Sequence, residues 1–533
     1  MAKPVSLFTL ASAIVIAMWW WLGAPIAMPP SPLDPGEKLY CVSYAPFHGT
    51  QSPLDLSTRI PPEQIDRDLA ALSKITDCVR TYSVDSGLDR IPELAQRHGL
   101  KVMLGLWVSS HADRTQFQIE TVVALANRFP DVVRSVIVGN EVLLRGEVSP
   151  QALADIIRGV KARVKAPVTY ADVWEFWLRY RELASVVDFI TIHILPYWED
   201  APVPAHLAAD HVDDIRKRVA AEFVGKEIVI GEVGWPSAGR MRWGALPSPA
   251  NEARVLAGVL ARGKRENFRV NLIEAFDQPW KRHLEGTAGG YWGLFDNASR
   301  RKFAWGDAVS NHPYWPWQAA GGLVLVALVF LAAFRASKGK PTTVPTVAWL
   351  ATAINAAVGG VLAGWSVENV PLESYDLGGW VRSVSLVVLA IAAPIVGGTG
   401  LAAGCAVPLF SRVLGKRPDR ERNPLLGTLG LLLIALAVIA LQSALALSFD
   451  PRYRDFPFAP ITAAAVPFAL MSALAPRASG RRPPAEALAA IVLLLSAAFV
   501  GWNETPANWQ ALWFCGALVL VAFSLLRARA APG

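Results

Sequence analysis

The sequence predicts a (β/α)8 barrel, the TIM-barrel architecture, joined to an α-helical polytopic transmembrane bundle, and three observations carry that prediction. Between residues 39 and 277, eight apolar strand-like runs alternate with helical patterns. The chain is 53% hydrophobic and only 18% charged, too apolar for a soluble protein of 533 residues, and most of the excess sits at its two ends. Those ends hold uncharged stretches of helix length, none of which alternates like a strand.

Taken in order, residues 5 to 28 are uncharged, long enough to cross a hydrocarbon core of about 30 Å, and lack a small-x-small cleavage site. They read as an uncleaved signal anchor, with a cleaved signal peptide as the alternative. Residues 1–35 are therefore assigned to this anchor and its linker, 36–312 to the barrel and 313–533 to a membrane domain. The expected barrel strands are 39–45, 77–82, 101–108, 133–140, 167–172, 187–194, 227–232 and 271–277. Helical patterns lie between them, such as Pro61 to Ser73, and Ser149-Pro150 supplies an N-cap and first-turn pair. Seven further spans are expected at about 317–334, 345–366, 381–410, 424–447, 457–475, 485–501 and 508–526, the third of them kinked by Pro394 with Gly397 and Gly398.

Two barrel strands share one form: an apolar run, a glycine, then a single carboxylate. One is Val133 to Val142, delivering Glu141 after Asn140; the other is Ile228 to Gly239, delivering Glu232 just before Gly-Trp-Pro. Cleaving a glycosidic bond needs one carboxyl group to protonate the leaving oxygen and another to attack or stabilise the anomeric carbon, so a matched pair is the minimum equipment. At about thirty residues per unit, Glu141 and Glu232 fall on the fourth and seventh strands and converge at the carboxyl face. A separation of about 5 to 5.5 Å would mean retention and about 6.5 to 9.5 Å inversion.

Val-Gly-Asn-Glu-Val at 138–142 and Gly-Glu-Val-Gly-Trp-Pro-Ser-Ala-Gly at 231–239 resemble the two signatures of glycoside hydrolase family 17, the β-1,3-glucanases and β-glucan transglycosylases. The resemblance covers roughly residues 38 to 310 and includes Tyr40 to Phe47 and Val79 to Tyr82; Glu274 to Lys281 follows the plant enzymes' pattern more loosely. It implies Glu141 as acid/base, Glu232 as nucleophile and Asn140 as the residue that binds the sugar hydroxyl next to the reacting carbon. Within its motifs Tyr44, Tyr82, Asp277 and Lys281 are expected to bind substrate. Trp235 and Trp280 are the tryptophans preferred as sugar-stacking plates over core packing. Tyr197, after the sixth strand, is placed to hydrogen-bond the nucleophile or to be satisfied in the barrel wall, and His193 reads as a satisfied barrel residue. No cofactor is expected, and no His/Cys spacing suggests a metal.

Orientation follows from the loops. Arg335, Lys338, Lys340, Arg412, Lys416, Arg417, Arg420, Arg422, Arg477, Arg481, Arg482, Arg527 and Arg529 fall on one side; on the other, residues 367–378 hold Glu368, Glu373 and Asp376 with no Lys or Arg. Eight spans with both termini cytoplasmic satisfy nearly every loop, which puts the barrel outside the cytoplasmic membrane; the Ala- and Arg-rich composition fits a bacterial inner membrane and its periplasm. The net charge of +7 is largely explained by these loops and does not signal nucleic-acid binding. Cys41 and Cys78 lie on neighbouring strands, where they either pair in an oxidising compartment or stay free.

The whole layout resembles bacterial membrane proteins of cyclic or branched β-1,3/1,6-glucan synthesis. That implies a retaining glucanosyltransferase forming β-1,6 links or branches, with a β-glucan substrate, the lipid bilayer and a membrane glucan synthase as partners. A membrane-anchored β-1,3-glucan hydrolase is the first alternative. A glucan-binding or export scaffold, or a transporter, is the alternative of another class.

Overall fold

The computed structural model describes residues 2–338, 344–415, 423–476 and 482–528. Lys340, Lys416, Arg417, Arg420, Arg422, Arg477, Arg481 and Arg529, which the orientation argument uses, lie outside the described residues.

Eight parallel strands close into a barrel in sequence order: β1 (Cys41–Ser43), β2 (Cys78–Arg80), β3 (Lys101–Leu106), β4 (Val133–Asn140), β5 (Val168–Val173), β6 (Ile190–His193), β7 (Ile228–Val233) and β8 (Val270–Leu272). Closure is made by β1 on β8, where Cys41 is paired with Asn271 and Val42 with Leu272. The strands are covered on both faces, which is why they read as apolar runs instead of alternating ones. Several are shorter than expected, β1, β2 and β8 at three residues each, because pairing stops where the chain turns into the loops. Helices intervene, including Pro62–Leu72, Ala112–Arg128, Pro150–Lys161, Ala205–Glu222 and Pro249–Glu266. The Ser149 hydroxyl accepts from Ala152 N–H at 3.2 Å with Pro150 opening the helix, the capping pair read from sequence.

The barrel interior is partly polar: Ser43, Arg80, Thr169, Thr191, His193 and Asn271 are all fully buried. Asn271 donates to Ser43 Oγ at 2.8 Å and to Gly231 O at 2.6 Å, so neighbouring strands are tied by side chains as well as by the ladder. Cys41 and Cys78 are joined in a disulfide beside Met103, Ile137 and Ala171.

The chain divides into two compact units. One is Ile26–Gly239 with Gly244–Val309; the other is Met1–Pro25, Arg240–Trp243 and Ser310–Gly533. The linker after the first helix thus goes with the barrel, where Ile26 and Val309 exchange both backbone hydrogen bonds (2.9 and 3.0 Å). The short excursion at Arg240–Trp243 has no counterpart in the boundaries expected from sequence.

The second unit is helical. Seven of its described helices are long and apolar enough to cross a membrane by length and composition: Lys3–Gly23, Trp315–Lys338, Thr346–Glu373, Leu377–Ala403, Pro424–Phe449, Pro484–Asn503 and Trp509–Arg527. The span expected at 457–475 is a helix of 17 residues, Phe458–Leu474, at roughly 25 Å shorter than a hydrocarbon core. The span expected at 381–410 ends at Ala403, where Gly404 takes a left-handed C-cap (φ 65). Pro394 does lie inside that helix, and its carbonyl accepts from Asn355 Nδ2 at 2.8 Å.

Candidate active site

The site is assembled where β4, β6 and β7 end. β4 runs to Gly139 (φ 87) and the chain then holds Glu141 at φ 51, in the left-handed region that non-glycine residues rarely occupy. A Cβ at Gly139 would meet Val142 Cγ2 at 2.4 Å, so glycine is required there. Glu141 N–H donates to Ala171 O on β5 at 2.8 Å, which pins the turned-up residue to the barrel rim. On β7, Glu232 stands opposite His193 in the ladder. Gly231 beside it leaves room for His193: a Cβ there would meet Thr191 Cγ2 at 2.3 Å and His193 Cδ2 at 3.2 Å.

His193 lies between the two glutamates. Its Nδ1 is 2.8 Å from Glu141 Oε1 and its Nε2 is 3.6 Å from Glu232 Oε1. Arg80 Nη2, which can only donate, is 3.3 Å from Nε2; this assigns the acceptor role to Nε2 and the proton to Nδ1, which donates to Glu141. Arg80 also donates to Glu232 Oε1 (2.7 Å), Gly231 O (2.9 Å) and Asn140 Oδ1 (2.5 Å). One buried guanidinium therefore orients residues of β4, β6 and β7. Tyr82 completes the shell by donating to Glu232 Oε1 at 2.9 Å while its oxygen accepts from Ser43 Oγ at the same distance.

The two carboxylates are unlike. Glu232 has 5% of its side chain exposed against 23% for Glu141, so the second is open to an arriving hydroxyl and the first is not. Burial pushes the Glu232 carboxyl up, but the charges of His193, Arg80 and Lys281 and the Tyr82 hydroxyl outweigh it and hold the group below the usual carboxylate value. Glu232 is thus an ionised, dehydrated carboxylate. Burial together with the Glu232 charge raises the Tyr82 hydroxyl well above its ordinary value, which keeps it a donor.

Ligand atoms of Glu141, His193 and Glu232 come within 4.8 Å of one another, a spacing a metal ion would accept. Arg80, however, already sets its positive charge against Glu232 and His193 Nε2, where a cation would be repelled.

Several expectations change. Trp235 is fully buried, its Nε1 donating to Leu246 O at 3.1 Å and its ring edge-on to Tyr197, so it offers no face to a sugar and is a core residue. Tyr197 is equally buried, packed between Trp198, Trp235 and Trp292. Tyr44 spends its hydroxyl on Asp68 Oδ2 (2.9 Å), which also takes His48 Nε2 (2.8 Å), and is 1% exposed; it supports the rim instead of contacting substrate. Asp277 is buried against Lys302 (2.7 Å) and Gly293 N–H (2.9 Å), a structural ion pair. Tyr82 serves Glu232. Lys281 pairs with Glu274 at 2.9 Å, and the neighbouring Glu232 and Glu285 charges help raise it to about 12 although burial lowers it. Asn140 keeps its amide N–H groups without a partner among the described residues, since only its oxygen is taken by Arg80. Trp280 alone of the two preferred plates is half-exposed, with Nε1 on Gln278 Oε1 at 2.8 Å.

The sequence reading gave no role to Arg80, Glu274 and Glu285; His193 is the satisfied barrel residue it expected, with Glu141 and Arg80 as the partners. Glu274, at 1% exposure, is pushed by burial to about 7 against the pull of Lys281. Burial likewise raises Glu285, with the Glu141 and Glu232 charges adding to it. The one available signal for Arg80 was a lone charge inside an apolar strand, Cys78-Val-Arg80.

Known proteins give this geometry a family setting. Residues 41–293 match the model of the BtgE/BtgC glycoside hydrolase domain. A probable glucan endo-1,3-β-glucosidase of Aspergillus clavatus is 28% identical over 299 residues, 49% of this chain and 41% of the relative. A probable β-glucosidase of Aspergillus fumigatus is 29% identical over 239 residues, 43% of this chain and 41% of the relative. The chain therefore spans about two fifths of the length of these curated relatives. Among solved structures, a glycoside hydrolase family 17 β-1,3-glucanosyltransferase from Rhizomucor miehei is 28% identical with a TM-score of 0.45, covering 50% of this chain and 97% of that one. The sequence match and the closed eight-stranded barrel together make residues 41–293 similar to the BtgE/BtgC glycoside hydrolase domain.

Proposed function

We propose that this chain is a membrane-held, retaining β-glucan enzyme, a glucanosyltransferase that acts on β-1,3-glucan and forms β-1,6 links or branches. The observation that carries the reading is the pairing of Glu141 and Glu232 across His193, with carboxylate oxygens within 4.8 Å, too close for the intervening water of an inverting enzyme. The ionised Glu232 attacks the anomeric carbon as Glu141 gives its proton to the departing oxygen, leaving a glycosyl-enzyme ester. Glu141, now a carboxylate, takes a proton from the incoming hydroxyl, which displaces Glu232 and restores both groups. Water as the acceptor gives hydrolysis; a sugar hydroxyl gives transfer. The name of the Aspergillus clavatus relative supports a β-1,3-glucan donor.

Asn140 is proposed to hold the hydroxyl beside the reacting carbon, and Trp280 with Lys281 to line the donor side. The apolar helices and the basic loops of one side support a bacterial inner-membrane protein with both termini cytoplasmic and the barrel periplasmic, where it meets glucan leaving a membrane synthase. Transfer is favoured over digestion by that position. The test is to incubate the detergent-solubilised full chain with β-1,3-gluco-oligosaccharides and resolve products by mass and linkage beside Glu232→Gln. Products longer than the donor with new β-1,6 links, absent in the variant, are expected. Only shorter products would make the enzyme a hydrolase, and products unchanged in Glu232→Gln would overturn the mechanism.

A further inference from the structure

The left-handed backbone of Glu141 (φ 51) is a conformation that persists only where its surroundings hold it. The fifth strand supplies that hold at successive residues. Ala171 O accepts from Glu141 N–H at 2.8 Å, and the Tyr170 hydroxyl accepts from Leu143 N–H, two residues further along the same turn, at 3.0 Å. Tyr170 and Asp172, two apart on β5, share one face of the strand, and the Tyr170 hydroxyl donates to Asp172 Oδ2. The other Asp172 oxygen accepts from Val173 N–H at 2.8 Å. Both side chains are closed off from solvent, at 1% and 0% exposure, so neither meets a sugar. Burial and the Asp172 charge raise the Tyr170 hydroxyl well above its ordinary value and keep it a donor. Burial also pushes Asp172 up to about 6 against the pull of the Tyr170 hydrogen bond and the His193 charge, so at neutral pH it is mostly ionised. The donors therefore all point one way, from Leu143 N–H through Tyr170 O–H to the carboxylate, and each bond polarises the next.

We propose that Tyr170, oriented by Asp172, is a positioning residue for the cleavage step, holding the turn that aims Glu141 at the departing oxygen; the kinetic part rests on the glucan-active reading above. In that step a Glu232 oxygen bonds to the anomeric carbon, the glycosidic carbon–oxygen bond breaks, its electron pair goes to the departing oxygen, and that oxygen takes the Glu141 proton. A sugar alkoxide is too basic to leave without the proton, whereas a dinitrophenolate leaves without one. Loss of aim at Glu141 therefore has a selective signature, and a displacement of about 1 Å can cost as much as a hundred-fold. Removing the Tyr170 hydroxyl takes the acceptor from Leu143 N–H and the donor from buried Asp172 together. The holds at Ala171 and at Arg145, whose Nε donates to Asn140 O at 3.1 Å, stay in place, so the turn is loosened and not lost.

The experiment uses the full chain in detergent, comparing wild type with Tyr170→Phe and Asp172→Asn on two substrates: β-1,3-gluco-oligosaccharides and the 2,4-dinitrophenyl glycoside of a β-1,3-linked glucobiose. In Tyr170→Phe, kcat/KM on the oligosaccharides is expected to fall about 10- to 100-fold while that on the aryl glycoside falls less than about three-fold. Azide, a nucleophile that needs no base, is expected to raise kcat on the aryl glycoside more in the variant than in wild type. Asp172→Asn, which keeps the shape and one acceptor, is expected to show a smaller loss with the same split. Amide exchange at Leu143 is expected to accelerate at least about ten-fold in Tyr170→Phe. Equal losses on the two substrates overturn the proposal, since a general distortion of the barrel would act on both alike; so does an oligosaccharide kcat/KM within about two-fold of wild type. Should Tyr170→Phe fold poorly, the split in Asp172→Asn decides. A wild type that turns over neither substrate overturns the glucan reading instead, and exchange at Leu143 then decides alone whether Tyr170 holds the turn.

Discussion

Two carboxylates on neighbouring elements of the barrel, Glu232 on β7 and Glu252 on the helix that follows, are both buried to 4% exposure or less, yet they are opposite in character. Glu232 has Arg80 at 2.7 Å and the Tyr82 hydroxyl at 2.9 Å, and is ionised. Among the described residues Glu252 has no well-formed hydrogen bond; Lys302 Nζ stands at 3.5 Å, with Ser237 also nearby, and Asp277 holds that cation more closely at 2.7 Å. Burial accordingly pushes it up to about 8, with Asp277 adding to the rise and Lys302 opposing it, so at neutral pH it is mostly a neutral acid. Dehydration is common to both; the donors differ. The ionisation of a buried carboxylate in this fold is set by the donors aimed at it, and burial alone does not tell the two acids apart.

The largest effect expected from this contrast is at the ionised member. Glu232→Gln removes the carboxylate proposed as nucleophile and should reduce product formation by more than about a thousand-fold with the fold intact, read as turnover beside a melting curve; activity within ten-fold of wild type would end its assignment. Next is Lys302→Met, which strips the cation from Asp277 and Glu252 and is expected to cost roughly 3–5 kcal/mol of stability, read by denaturant titration, because a buried charge loses its partner. A loss below about 1 kcal/mol would mean that the cluster is already neutral.

The pH dependence separates the two acids by sign. Glu252, with a folded value of about 8 against an ordinary value of 4.5, binds a proton in the folded chain that the unfolded chain has released; its contribution to stability is full below the unfolded value and is lost as pH rises toward 8. Glu232, lowered in the folded state, contributes stability above its unfolded value and loses it as pH falls through its folded value. Glu252→Gln should therefore flatten the decline of melting temperature between about pH 5 and 8 by an amount worth a few kcal/mol, and leave the acid limb in place. The smallest effect is at the rim: Trp280→Ala should raise KM by up to about ten-fold with little change in melting temperature, as loss of a partly exposed aromatic contact predicts. A collapse of stability instead would make Trp280 a packing residue like Trp235.

How much of this was legible in the sequence follows from where the information sits. The eight strands and the two glutamates were readable because apolar runs ending in glycine and one carboxylate are local patterns, and the short β8 was overextended because loop entry leaves no local mark. The apolar helices were readable from length and composition alone, save for Phe458–Leu474, whose 17 residues sit below the length that composition suggested. Trp235 was misread since a tryptophan after a strand looks the same whether its ring turns into the core or over the cleft; only the packing of Tyr197, Trp198 and Trp292 decides. Arg80 could not be assigned because its partners Asn140, His193 and Glu232 are 60, 113 and 152 residues away in the chain.

That long reach also governs how the barrel can be made. Arg80 arrives on the second strand, but the groups that neutralise it come from β4, β6 and β7, the last of them 152 residues later. A chain emerging N-terminus first must therefore carry this guanidinium without its carboxylate partner until seven of the eight strands exist. Chains that stop short of β7 lack Glu232, so one carboxylate both faces the cleft and supplies the counter-charge with which the centre of the barrel seals.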